Sequence, residues 1–269
     1  MRLLAILAAT TVLATPAGYV AAQQREDGGF GDAQITAWAT IGLAASGAEQ
    51  GTLARAAAYL ARQEPREPTD VALVAIARSV AGDRPDALLA RLRSHRPGKL
   101  LNATIWTILA LRQAGEPAPP ALVRALLAAQ RGSGGWSWHS SAAPDTNDTA
   151  AAIQALRAAG IRGRPIDRAV GFLRRHQNRD GGFELTDGRG SDAQSTAWAI
   201  QALLAAARQP GAAAFRYLAG LRRPDGSYRY SARYATTPLW VTAQVLPALA
   251  RKPFPLRAAA DRATGVSSR

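Results

Sequence analysis

The sequence predicts an all-α fold of two helical layers, built from about six helix-hairpin repeats. Three observations predict it. The block Asp32-Ala33-Gln34-Ile35-Thr36-Ala37-Trp38-Ala39 returns 160 residues later as Asp192-Ala193-Gln194-Ser195-Thr196-Ala197-Trp198-Ala199. Helical segments alternate between amphipathic ones and ones that are apolar nearly all round, so one kind faces water and the other is enclosed by neighbours. A Gln–Gly–aromatic signature recurs between the two kinds. Self-similarity at such spacing marks a repeat architecture, in which each unit buries its apolar face against the next.

The elements follow in chain order. Arg2, the apolar run Leu3 to Ala9 and the small residues after it have the parts of a secretory signal. Residues 1–17 are therefore expected to be a signal, with cleavage after Ala14 or Ala17, and the mature chain to be secreted, periplasmic or at the cell surface. The run falls short of the roughly 20 residues that span a bilayer, and no transmembrane segment is expected after it. The repeat domain is expected over 18–250. Between the two strong blocks lie weaker copies, Asp70-Val71-Ala72-Leu73, Asn102-Ala103-Thr104-Ile105-Trp106 and Asp148-Thr149-Ala150-Ala151-Ala152, and Thr237-Pro238-Leu239-Trp240-Val241-Thr242 ends the series. Taking Thr36, Asp70, Thr104, Thr149, Thr196 and Pro238 as comparable points gives steps of 34, 34, 45, 47 and 42 residues, each long enough for two helices and a loop. Residues 165–177 carry Ile166, Ala169, Val170 and Leu173 on one stripe and arginines elsewhere, a wet outer helix; residues 196–207 are apolar nearly all round, an enclosed one. The tail, 251–269, is basic and is expected to be flexible.

The second signature reads Gln24 to Phe30, Gln130 to Trp136 and Gln177 to Phe183, with a fourth copy from Arg222 to Tyr228 in which Arg replaces Gln. Its glycines supply the positive φ that stops a helix, its aromatic ring is available for burial, and its Gln amide is available for free backbone groups at a helix end. These segments are expected to be structural clasps.

Composition removes several functions. The formal charge is +14, but 31 of the 33 basic residues are Arg and they are scattered, whereas nucleic-acid binding favours a basic stripe interleaved with stacking aromatics; no nucleic-acid partner is expected. With no cysteine there is no thiolate nucleophile, disulfide or sulfur-bound zinc. His95, His139 and His176 are scattered without metal-ligand spacing, so neither a metal nor a cofactor is expected.

The clasps resemble the QW motifs of the terpenoid cyclase and protein prenyltransferase superfamily, including the aromatic–aliphatic pairs Tyr19-Val20 and Phe172-Leu173 in the preceding helices. The resemblance covers about residues 17 to 250 and implies an α/α toroid, with inner helices around a central cavity and outer helices around those. Asp145-Thr146-Asn147-Asp148-Thr149-Ala150 resembles the DXDD-Thr-Ala box of squalene–hopene-type cyclases, whose middle acid protonates a carbon–carbon double bond. Here that middle position is Asn147, an amide with no such proton to give. The resemblance therefore leaves Asp145 and Asp148 as the only acids of an alternative catalytic reading; otherwise Asp148 or Thr149 caps an inner helix, as Asp32, Asp70 and Asp192 precede others. The absent cysteine removes the zinc site of catalytic prenyltransferase subunits and the thioester of complement-type members.

Trp38, Trp106, Trp198 and Trp240 occupy comparable inner-helix positions. They either line a cavity for an apolar or cationic ligand or pack between the helices. Trp138, Tyr230 and Tyr234 fall in longer loops near one rim, and Asn102 and Asn147 each begin a glycosylation sequon. The sequence expectation is a secreted, non-enzymatic module that binds an apolar small molecule or a protein at its central cavity through Trp38, Trp106, Asp148, Trp198 and Trp240. The alternatives are a terpene cyclase- or prenyltransferase-like enzyme using Asp145 and Asp148 on an isoprenoid, and a structural cell-surface interaction domain.

Overall fold

A computed structural model describes residues 14–256, so the expected signal lies, apart from its last residues, outside the described residues, as does most of the tail. The chain runs through helices α1 (Pro16–Ala21), α2 (Ala33–Ser46), α3 (Gln50–Ala61) and α4 (Pro68–Val80), then α5 (Asp86–Arg93), α6 (Leu101–Gln113), α7 (Pro120–Ala128) and α8 (Thr146–Ala158). It continues through α9 (Arg164–Arg175), a two-residue hairpin of β1 (Phe183–Glu184) and β2 (Ser191–Asp192), then α10 (Ala193–Ala205), α11 (Ala212–Leu221) and α12 (Pro238–Leu249). Pairing each odd-numbered helix with the following even one gives six hairpins, as the repeat count predicts.

The even-numbered helices form a closed inner ring, each packed on its neighbours and α12 on α2, and the odd-numbered ones lie outside. The sequence dictates this division. Ile166, Ala169, Val170 and Leu173 bury one stripe of α9 while its arginines stay outward, whereas α10 is buried over almost its whole length. Ring closure depends on a small residue, because a Cβ at Gly42 of α2 would lie 2.5 Å from the Ala243 carbonyl oxygen of α12. No described helix is long and apolar enough to cross a membrane.

The clasps tie successive outer helices together. Gln24 donates to the Gly28 and Thr52 carbonyls, Gln130 to those of Gly134 and Pro165, and Gln177 to that of Gly181. In the fourth copy Arg222 donates to the Ala14 carbonyl, and Gly226 sits against the carbonyl of Thr15, which caps α1, so this clasp closes the outer ring. Phe30, Trp136, Phe183 and Tyr228 are buried, and each donates its backbone N–H to a threonine of the following inner helix: Thr36, Thr149, Thr196 and Thr242, at 2.8–2.9 Å. The repeated threonine is thus a latch for the clasp.

Three expectations are corrected. Asp145 caps α8, accepting from the Asp148 N–H at 2.8 Å; Asp148 is already inside the helix and Thr149 is the latch, so neither is the cap. Asp32 and Asp192 do cap, whereas Asp70 falls within the first turn of α4 and binds Gln34. The tail is held over its first residues: Phe254 is buried, its N–H donates to Gln154, and Leu256 exchanges two hydrogen bonds with Gln113. The expected boundary at Ala17 falls inside α1.

Candidate active site

The latch threonines define the register of the inner wall. Residues two before and two after each latch are four apart and share a helix face. On α8 these are Asn147 and Ala151, on α10 Gln194 and Trp198, and on α12 Trp240 and Gln244; with Trp38, Trp106 and Asp148 they line one central pit of about 150 Å3. The pit lies near the N-terminal ends of the inner helices, on the face that carries the clasp loops. The four tryptophans therefore do not occupy equivalent places. Trp38, Trp106 and Trp198 follow their threonines by two residues, but Trp240 precedes Thr242 by two, and Gln244 takes the equivalent position. The comparable point in the last repeat is Thr242, not Pro238.

Both tryptophan readings hold at once, since the rings line the pit and pack on one another. Trp38, Trp106 and Trp198 form a triangle of edge-to-face contacts with centroids 5.6–5.8 Å apart, and Trp240 lies 6.4 Å from Trp38. Phe254 of the tail packs on Trp106 and Trp198 at 6.2 and 6.1 Å. Mutual edge-to-face packing holds such rings more firmly than apolar burial alone.

One side of this aromatic pit is acidic. Asp148 opens onto it one residue after Asn147, and its carboxyl is pushed up to about 9, first by burial and then by the charge and hydrogen bond of Asp145. Burial also raises Asp145, against the opposing pull of its bonds from Asp148 and the helix N–H groups. Burial and mutual repulsion both oppose ionising the two carboxyls together, and Asp148 is the one pushed up to about 9. Asp145 is fixed beside it as the α8 cap, accepting from the Asp148 backbone N–H. The backbone holds the pair in place: Asp145 N–H bonds to the Trp136 carbonyl, and Thr146 donates through N–H and hydroxyl to Leu185 and Glu184 of the neighbouring loop.

Three further polar groups belong to the pit, and the sequence reading did not single them out as a set: Asn147, Gln194 and Gln244. The threonine register would have found Gln244, had the last repeat been aligned on Thr242. The Asn147 amide oxygen is buried beside the pit. Trp138 and Tyr234 are exposed on the loops, and Tyr230 and Tyr234 line a separate groove of about 700 Å3 with Arg189, Arg233 and Asp192. Among the described residues no group of His, Asp and Glu is placed to hold a metal; His176 pairs with Asp187 and His139 with Ser141.

No family model matches the sequence. Drimenyl diphosphate synthases from Streptantibioticus cattleyicolor and Streptomyces showdoensis are 30% identical over 192 residues and 34% identical over 187. Each match covers 64% of this chain but only 32% of the relative's length. Among solved structures, type II terpene cyclase MstE from Scytonema superposes with a TM-score of 0.69 at 16% identity, covering 88% of this chain and 95% of that one. Candida albicans protein geranylgeranyltransferase-I, solved with GGPP, gives 0.62 at 12% identity over 83% and 84%. The fold is the α/α toroid of terpenoid cyclases and protein prenyltransferases. These relatives overturn the expectation of a non-enzymatic binding module, since the sequence matches are to synthases. Related MstE structures hold geranylgeranyl dihydroxybenzoate as substrate and merosterolic acid A as product.

Proposed function

We propose that this toroid is an isoprenoid-processing enzyme of the terpene cyclase type, in which Asp148 protonates a carbon–carbon double bond held in the central pit. One observation carries the reading: Asp148, its carboxyl pushed up by burial and by the neighbouring Asp145, stands in the wall of a pit otherwise made largely of indole rings. The similarity to drimenyl diphosphate synthases supports the same class of chemistry.

The chemistry follows from the lining. A proton moves from the Asp148 carboxyl to the less substituted alkene carbon and leaves a tertiary carbocation. The faces of Trp38, Trp106, Trp198 and Trp240 are the groups available to stabilise that charge, an interaction that strengthens when water is excluded. Proton loss creates two adjacent carboxylates, Asp145 and Asp148, whose mutual repulsion favours return of a proton at the end of the cycle. Asn147, which cannot supply the proton, stays a polar neighbour. A pit of this size, below the range of about 300–1,000 Å3 usual for sites that enclose a drug-sized ligand, takes the end of an isoprenoid chain and leaves the rest toward the mouth.

The test is turnover in deuterated water. Prenyl diphosphates and squalene are offered to the protein, and the products are examined by mass spectrometry for one solvent deuteron on carbon. Asp148→Asn is expected to lower turnover by about 10²–10⁴-fold, the usual weight of a general acid. Undiminished turnover by that variant, or no conversion of any of these substrates by the wild type, overturns the reading.

A further inference from the structure

The pit holds a hydrogen-bond donor that an alkene cannot satisfy. Gln244 is 2% exposed, and its Oε1 accepts from Gln194 Nε2 at 2.8 Å and from Trp198 Nε1 at 3.1 Å. An indole nitrogen only donates, so this contact fixes which end of the Gln244 amide is oxygen. The other end, Nε2, is therefore a true N–H donor, and it is buried with no partner among the described residues. The Asn147 amide oxygen lining the same pit is likewise buried and unpartnered. With Asp148 they make three polar groups on a small cavity whose other walls are chiefly aromatic.

We propose that Gln244 and Asn147 hold a water molecule beside Asp148, and that the enzyme adds this water to the terminal double bond of its isoprenoid, giving a tertiary alcohol. The proposal rests on the proton-transfer role of Asp148 and adds the nucleophile. A buried water requires two to four polar partners and about 30 Å3 of space, both of which this pit supplies while leaving room for a chain end. Water both accepts and donates, so it accepts from Gln244 Nε2 and serves the Asn147 amide in either orientation. The step balances. Asp148 gives its proton to the less substituted alkene carbon, water forms a C–O bond to the tertiary cation, and the proton that water sheds returns to the Asp145–Asp148 pair.

The experiment uses farnesyl diphosphate with the full chain in ordinary and in oxygen-18 water, with intact products weighed by mass spectrometry. A product heavier than substrate by one water, carrying the label from the solvent, is expected. Gln244→Met is expected to cut the hydrated fraction about ten-fold, the weight of one buried hydrogen bond, while solvent-deuteron incorporation into carbon continues. Asn147→Leu, which leaves the Gln244–Trp198 contact in place, should shift the products in the same direction. Conversion to anhydrous product alone overturns this inference and leaves the proton-transfer reading standing. Hydration unaffected by both substitutions overturns the assignment to these residues. No conversion by the wild type overturns both.

Discussion

The two arcs of the toroid are built differently. α7, α9, α11 and α1 each end in a clasp that reaches the next outer helix and latches onto a threonine of the inner ring. The arc holding α4 and α6 has short connections instead, and the hydroxyl of Thr104, the position equivalent to the latches, is buried without a partner among the described residues. The difference maps onto chemistry. Asp148, Gln194 and Gln244 stand on clasped helices, while the unclasped arc offers the pit only Trp106. Geometry is fixed most firmly where polar groups must be aimed.

The largest test of this contrast compares two glycines. At Gly134 φ is +94°, and a Cβ would lie 2.5 Å from the Arg168 carbonyl oxygen, so Gly134→Ala meets both backbone strain and a clash with main chain. A loss of about 3–5 kcal/mol is expected, measured by denaturant unfolding. Gly115, beyond α6 on the other arc, has φ +79° with nothing near its Cβ position. Gly115→Ala should cost only the strain, about 1–2 kcal/mol. Equal costs would remove the claim that clasp contacts distinguish the arcs.

The pair Asp145–Asp148 makes the clasped arc sensitive to pH. The folded pKa of Asp148 is raised, from a carboxyl's ordinary value to about 9, so the native state binds a proton that the unfolded chain releases. Its contribution is fully present below the unfolded pKa and is lost as pH rises toward about 9, because the unfolded state binds fewer protons across that window. Wild-type stability should therefore fall from about pH 5 to pH 9, by a few kcal/mol at most. Asp148→Asn should flatten that slope and raise Tm at pH 8, even as it lowers turnover. A slope unchanged in the variant would show that Asp148 titrates normally.

Repeat number, layer order and clasps were legible because each rests on local signals: apolar periodicity, glycine at positive φ, and an aspartate at a helix start. The site was legible only in part. Asp145 and Asp148 stood out as a motif, and three tryptophans kept step with the repeat. Gln244 did not, because Trp240 resembles the other tryptophans while standing a turn earlier on its helix, so matching on tryptophan shifted the last repeat out of register. The hold on the tail is illegible in the sequence for a different reason. Phe254 and Leu256 lie in a short stretch without periodicity, and Leu256 is held by Gln113, 143 residues away, through a contact no local pattern announces.

The finest test exchanges hydroxyl for methyl at the two equivalent threonines. Thr149 Oγ1 accepts from the Trp136 N–H at 2.9 Å and donates to its carbonyl at 3.2 Å, both buried. Thr149→Val keeps the shape and strands the Trp136 N–H, so a loss of about 1–3 kcal/mol is expected. Thr104→Val removes a hydroxyl that already lacks a partner, and should be neutral or stabilise by up to about 1 kcal/mol. The sign is the informative part. The same substitution, at equivalent positions of one ring, should destabilise only where a clasp loop needs the hydroxyl. If Thr104→Val were as costly as Thr149→Val, the repeated threonine would owe its place to the inner helix itself, and the latch would be incidental.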